Sequence, residues 1–239
     1  MLPLKDDIPS RTMPVVTVLL IVLNTLVFVY QMSLELGGAP TAAARGAVGA
    51  AEAFVYEFGA TPCRLTGSCP ADFPHPMVTV LTSMFLHGGI LHVAGNMLYL
   101  WVFGDNVEDT LGHSRFLAFY LLSGFAAALA QTMVAPTSGV PMIGASGAVS
   151  GVLGAYLLLF PYARILTLIM FGFFWRTVYL PATVVLGFWI VVQALNGILT
   201  FGKGEPGGVA FFAHVGGFVA GMVLVKLFRQ ESGIVRRRP

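Results

Sequence analysis

"GASGAVSGVLGAY", residues 144–156, decides how this chain is read. The stretch is apolar enough to enter a bilayer. It opens with a serine set among glycines, where Leu or Val would bury more apolar surface. A polar group at that point suggests chemistry, and small residues suggest close helix contact. Which of these holds depends on the rest of the chain.

The chain has 239 residues, of which 56% are hydrophobic and only 10% charged. Its mean hydropathy is +0.82. Soluble domains carry about 25% charged residues, so this composition indicates an integral membrane protein. The apolar residues come in unbroken runs rather than alternating, which predicts helices and not a barrel. The formal net charge of +2 and the lack of a basic patch argue against a nucleic-acid partner.

Six runs suit transmembrane helices: Val15–Met32, Leu81–Phe103, Phe116–Val134, Ser146–Tyr162, Thr177–Thr200 and Val209–Phe228. Each is near the ~20 residues that cross a hydrocarbon core. A seventh run, Ile165–Trp175, is too short to span and is expected to be buried or interfacial. The predicted fold class is all-α, a polytopic six-helix bundle with no internal repeat. It divides into a short cytoplasmic N-terminus (1–14), one membrane domain (15–228) and a basic cytoplasmic tail (229–239). The first outer loop, about 33–80, is long enough that partial helicity is expected over Ala42–Phe58.

Lys and Arg set the orientation. With the N-terminus inside, Lys5, Arg11, Arg115, Arg164, Arg176, Lys226, Arg229, Arg236, Arg237 and Arg238 are cytoplasmic. Arg45, Arg64 and Lys203 are outside. A seventh span would move the terminal arginines outside, which favours six. Asp6 and Asp7 cancel Lys5 and Arg11, which disfavours reading span one as a cleaved signal sequence despite the Ala-rich stretch at 40–50. The expected location is the inner (plasma) membrane, with both termini cytoplasmic. Cys63 and Cys69 fall in the outer loop, where a local disulfide and two free thiols are both open readings.

On this orientation His92, Asn96, Ser146 and His214 all lie in the outer half of the membrane, at similar depth. Gly147 and Gly151 form one GxxxG face, continued by Gly154, and Gly217 and Gly221 form another. His214, Gly217 and Gly221 share a face, so packing on these faces brings the imidazole to Ser146. The plainer reading is glycine-mediated packing with Ser146 as a small interface residue. His92 and Asn96, spaced i, i+4, face one way. They either point into a polar cavity or satisfy each other between helices. His87 reads as a rim histidine in contact with water or as a further site member. His75 and His113 sit in loops without a role.

These groups form the minimum set for acyl transfer. Ser146 is the candidate nucleophile and His214 its base. The Ser146 backbone N–H, His92 and Asn96 are candidate oxyanion donors, helped by the helix dipole. No carboxylate lies within the spans of Ser146 and His214, so a Ser–His dyad is expected, with its imidazole held by packing. A zinc protease would need HExxH, which is absent, and no metal or other cofactor is expected. A transporter would more often carry internal repeats and mid-membrane charges.

Three segments, "HGGILHVAGNMLYLWVFGDNVED" (87–109), "GASGAVSGVLGAY" (144–156) and "AHVGGFVAGM" (213–222), resemble the signatures of bacterial rhomboid intramembrane serine proteases. The resemblance runs from about Phe58 to Phe228. It implies Ser146 as nucleophile, His214 as base, and His92 and Asn96 at the oxyanion site, with Gly144, Gly147, Gly217 and Gly221 supporting. It also implies a six-helix bundle with a water-filled cavity open to the extracytoplasmic side, and a first loop partly in the membrane plane. Span five and the cap between spans five and six are implicated in substrate access. The implied substrates are single-span membrane proteins with a helix-weakening Gly or Pro near the cut and a small residue at it. Two features depart from the pattern. Some relatives carry an aromatic four residues after the serine, stacked on the histidine, where this chain has Ser150. Many also have Trp-Arg in the first loop, which is absent here. The competing expectation is a non-catalytic adaptor that binds transmembrane helices.

Overall fold

A computed structural model describes residues 1–37, 49–71, 73–201 and 209–229. The elements in chain order are β1 (Leu2–Lys5), α1 (Val15–Gly37), α2 (Ala50–Phe58), α3 (Pro62–Leu65), α4 (Pro76–Ser83), α5 (Ile90–Leu111), α6 (His113–Val134), α7 (Ser146–Leu159), β2 (Arg164–Phe171), β3 (Phe174–Pro181), α8 (Ala182–Thr200) and α9 (Phe211–Phe228). The basic tail beyond Arg229, the residues Arg45 and Lys203 used for orientation, and the first part of the expected Ala42–Phe58 helix lie outside the described residues.

Among the described residues four helices, α1, α6, α8 and α9, are long and apolar enough to cross a membrane. α7 is apolar but has only 14 residues. α5 has 22 residues, with Asp105, Glu108 and Asp109 near its end. The expected span Leu81–Phe103 does not form one helix. α4 ends at Ser83, a bend follows, and α5 starts at Ile90. Gly88 and Gly89, poor helix formers, fall in that bend. Hydropathy sums pass through such a break unnoticed, because they weigh side chains and not backbone.

The all-α expectation also needs correcting. β1, β2 and β3 form an antiparallel sheet in that order. The short run Ile165–Trp175 is most of a hairpin, with Phe171 paired to Phe174 across Gly172–Phe173. β-Branched and aromatic residues favour the extended chain here. In β2, Ile165 and Thr167 are fully buried, two apart on one face. The sheet also shortens the fifth expected span, since Thr177–Pro181 belongs to β3 and the helix starts at Ala182. The N-terminal tail supplies β1, and its Asp6 carboxylate accepts a hydrogen bond from the Tyr156 hydroxyl of α7.

α7 is the central helix. Every residue from Ala148 to Tyr156 is buried, against a core that includes Phe103, Phe116, Phe119, Tyr120 and Leu186. Its contact with α9 is made by backbone. A Cβ on Gly217 would lie 2.1 Å from the Gly147 carbonyl oxygen, and one on Gly221 would lie 2.0 Å from that of Gly151. Only glycine permits helix axes this close.

A buried acid fixes α1 to α5. The Glu108 carboxylate, fully buried, accepts from the backbone N–H groups of Val16 (2.9 Å) and Thr17 (2.7 Å) and from the Thr17 hydroxyl (2.7 Å). His113 Nδ1 lies 2.6 Å from Oε1, the oxygen that also takes the Val16 N–H. The Val16 and Thr17 N–H groups are otherwise orphaned donors of the first turn of α1, where negative charge is favoured by the helix dipole.

Candidate active site

The segment before α7 is held from three sides. Ala60 and Met142 exchange backbone hydrogen bonds of 3.1 and 2.8 Å, and the Gly144 N–H donates to the Ser83 carbonyl at 2.8 Å. The 60–69 loop is closed by a disulfide between Cys63 and Cys69. It is docked through the Cys63 N–H on the Ser138 carbonyl and the Thr66 hydroxyl on the Pro136 carbonyl. Gly144 has φ of +115°, a region that L side chains rarely adopt. The chain turns there and enters α7 with Ser146 as its first residue.

His214, in the first turn of α9, meets that serine: Nε2 lies 2.8 Å from Ser146 Oγ. Both residues are half-buried. Residues 68 positions apart are thus within proton-transfer distance, which makes general-base activation of the hydroxyl available. The α9 turn is held in place by the Gln131 side chain of α6, which accepts from the Ala213 N–H at 3.3 Å.

His92 lies on the Gly144 side of the serine. A Cβ on Gly144 would stand 2.7 Å from His92 Nε2 and 3.5 Å from Ser146 Oγ, so the glycine leaves the space between them open. His92 Nδ1 accepts from the Gly88 N–H at 3.2 Å, which leaves Nε2 as the protonated nitrogen facing Gly144. Asn96, one turn along α5, is buried, and its Nδ2 has no hydrogen-bond partner among the described residues. An unspent buried donor is costly unless something else uses it.

The expectation of a rim histidine in contact with water fails for His87. It is 2% exposed, and its ring packs edge-on against His92 at 5.1 Å. Gln31 of α1 holds its backbone, accepting from the His87 N–H (2.9 Å) and donating to its carbonyl (3.3 Å). Ser150 is buried and donates to the Ser146 carbonyl at 2.6 Å. His75, assigned no role, caps α4 by accepting from the Met77 N–H.

Two residues of α8 were missed. Gln193 Oε1 is 2.8 Å from His214 Nδ1. The Trp189 ring centroid lies 5.9 Å from that of His214. The imidazole is therefore held by a hydrogen bond as well as by packing, and the ring beside it comes from α8, not from the position of Ser150. The available signal was a lone amide in the apolar run "VVLGFWIVVQAL" (184–195), spaced i, i+4 from an aromatic.

The description "Rhomboid domain" fits residues 74–231. RHOMBOID-like protein 1 of Arabidopsis thaliana is 34% identical over 169 residues, covering 69% of this chain and 38% of that protein. Rhomboid protease GluP of Bacillus subtilis is 45% identical over 78 residues, covering 33% of this chain and 15% of its own. Inactive rhomboid protein 1 of Drosophila melanogaster is 25% identical over 162 residues, covering 68% of this chain and 10% of its own. This chain belongs to the rhomboid family. It spans well under half the length of these relatives.

Proposed function

We propose that the chain is an intramembrane serine endopeptidase that cuts transmembrane segments of membrane proteins. The supporting observation is the 2.8 Å contact between Ser146 Oγ and His214 Nε2. In this reading His214 takes the serine proton as Oγ attacks the scissile carbonyl. The developing oxyanion is received by the Ser146 N–H at the start of α7 and by His92 and Asn96. Asn96 Nδ2, without a partner among the described residues, is the donor this role requires. His214 then returns the proton to the leaving amine.

A small cavity of about 40 Å³ beside the serine is lined by Ser83, Met84, Gly124, Gly147, Ala148 and Ala213, among others. It suits a small side chain at the cut. A helical peptide bond must unwind to reach Ser146, so substrates carry Gly or Pro nearby. In its finer form the proposal has six spans, α5 and α7 completing the four long apolar helices, both termini cytoplasmic and the serine opening to the extracytoplasmic side of the plasma membrane.

A fluorophosphonate probe on the full chain in proteoliposomes tests the reading. Labelling of wild type and its loss in Ser146→Ala and His214→Ala is expected, with cleavage of a single-span model substrate lost in parallel, by about 1,000-fold or more. Label that persists in Ser146→Ala rejects the nucleophile. A wild type that binds transmembrane helices without labelling identifies an adaptor, like the relative whose name marks it inactive.

A further inference from the structure

α8 contributes little to the core. Its buried residues are Ala182, Val185, Leu186 and Gly197, so between Leu186 and Gly197 nothing on it is fully enclosed. Yet this stretch carries both groups that touch the far side of His214: Trp189 against the ring and Gln193 on Nδ1. The i, i+4 spacing puts both on one face of the helix. Gln193 Oε1 is the hydrogen-bond partner of His214 Nδ1, as Ser146 Oγ is of Nε2.

We infer that Gln193 is a positioning residue which, by accepting a hydrogen bond from His214 Nδ1–H, keeps the Nε2 lone pair directed at Ser146. This rests on the proposed Ser–His chemistry. A neutral imidazole has one N–H and one lone pair, and the partner of one nitrogen fixes the state of the other. The Gln193 carbonyl oxygen can only accept, so Nδ1 must carry the proton and Nε2 is free to take one. When the Ser146 O–H bond breaks and Oγ bonds to the substrate carbonyl carbon, the proton moves to Nε2 and the ring becomes imidazolium. Nδ1–H stays on Gln193 throughout, and the bond shortens as the ring gains charge. An amide does this without adding a second charge inside the membrane, where a carboxylate would be costly.

The test uses the full chain in proteoliposomes with a single-span model substrate and 15N-histidine labelling, in wild type, Gln193→Leu and Gln193→Glu. His214→Ala identifies the His214 signal among the five histidines. In wild type the 15N shifts show Nδ1 protonated, and in Gln193→Leu that preference is lost. In Gln193→Leu kcat falls about tenfold with KM little changed, the scale of one lost hydrogen bond. In Gln193→Glu most of kcat returns at alkaline pH, while the acid limb of the pH–rate profile moves to higher pH, because the carboxylate favours imidazolium. A Gln193→Leu protein with unaltered kcat and unaltered 15N pattern overturns the inference. Should that variant not fold, an unmoved acid limb in Gln193→Glu overturns it. If wild type neither labels nor cleaves, the protease reading fails by itself, and the 15N pattern alone then supports or rejects the Gln193 bond.

Discussion

Two of the neighbours of α9, α7 and α8, hold it in different ways. Against α7 the contact is backbone to backbone, with glycine positions of α9 seated on carbonyl oxygens of α7. Against α8 the contact is made by side chains, above all Trp189 and Gln193 on His214 and Trp189 on Phe218, whose rings lie 6.2 Å apart. The first contact fixes where the Ser146 hydroxyl and the His214 ring meet. The second sets how the ring is turned and which nitrogen bears its proton. Position thus rests on close backbone packing, and orientation rests on a helix with few buried residues. Any movement of α8 reaches His214 before it reaches Ser146.

The largest expected effect attacks the stiff contact. Gly221→Val would drive a branched side chain into the Gly151 carbonyl, where even a Cβ would stand 2.0 Å away. A loss of at least about 3 kcal/mol, at the upper end for an overpacked core, is expected in detergent unfolding, with probe labelling of Ser146 lost as well. Unchanged stability would mean that α7 and α9 are not in backbone contact. Trp189→Ala comes next. The indole is half-buried, so its removal should cost about 1–2 kcal/mol, less than a fully buried aromatic, and slow labelling more than it lowers the melting temperature. If labelling is unaffected, the α8 side of the comparison fails.

Gly187→Ala should have the opposite sign. A Cβ at Gly187 of α8 meets nothing within 4 Å, so better helix propensity gives a gain of about 0.5–1 kcal/mol. A destabilised Gly187→Ala would show α8 to be packed as tightly as α7.

The smallest effect concerns the root of α8, which continues directly from β3 of the sheet. Burial pushes the Asp6 carboxyl from its ordinary 3.8 up to about 6, against a lowering by the Tyr156 hydrogen bond. The docked state therefore binds the proton more tightly than the undocked one. Docking of β1 is strongest below about pH 4 and weakens as pH rises to about 6, with little change above. Hydrogen exchange over residues 2–8 between pH 4 and 7 should show this trend, and Asp6→Asn should flatten it.

The motif residues were legible because their spacing is local. HxxxN puts His92 and Asn96 on one helical face, and AHxxG puts His214 beside Gly217, before any fold is known. Glycine spacing likewise pointed to the α7–α9 contact. The hairpin 164–181 was not legible as such: hydropathy sees an apolar run and is indifferent to its period. Gln193 was overlooked because an amide in an apolar helix has many possible partners, and its own lies 21 residues away on another helix. Glu108 was passed over for the same reason, its partners on α1 being about 90 residues distant.

By itself the sequence determined that this is a membrane protein and which polar groups lie at one depth, because composition and helical periodicity are properties of neighbouring residues. Only the tertiary structure decided that His214 is bonded to Gln193 and flanked by Trp189, that Gln31 holds the His87 backbone, and that residues 2–5 join a sheet. Each of these is a contact between distant segments. The choice among possible partners is made by packing, since a buried donor or acceptor takes whichever group the folded backbone brings within reach.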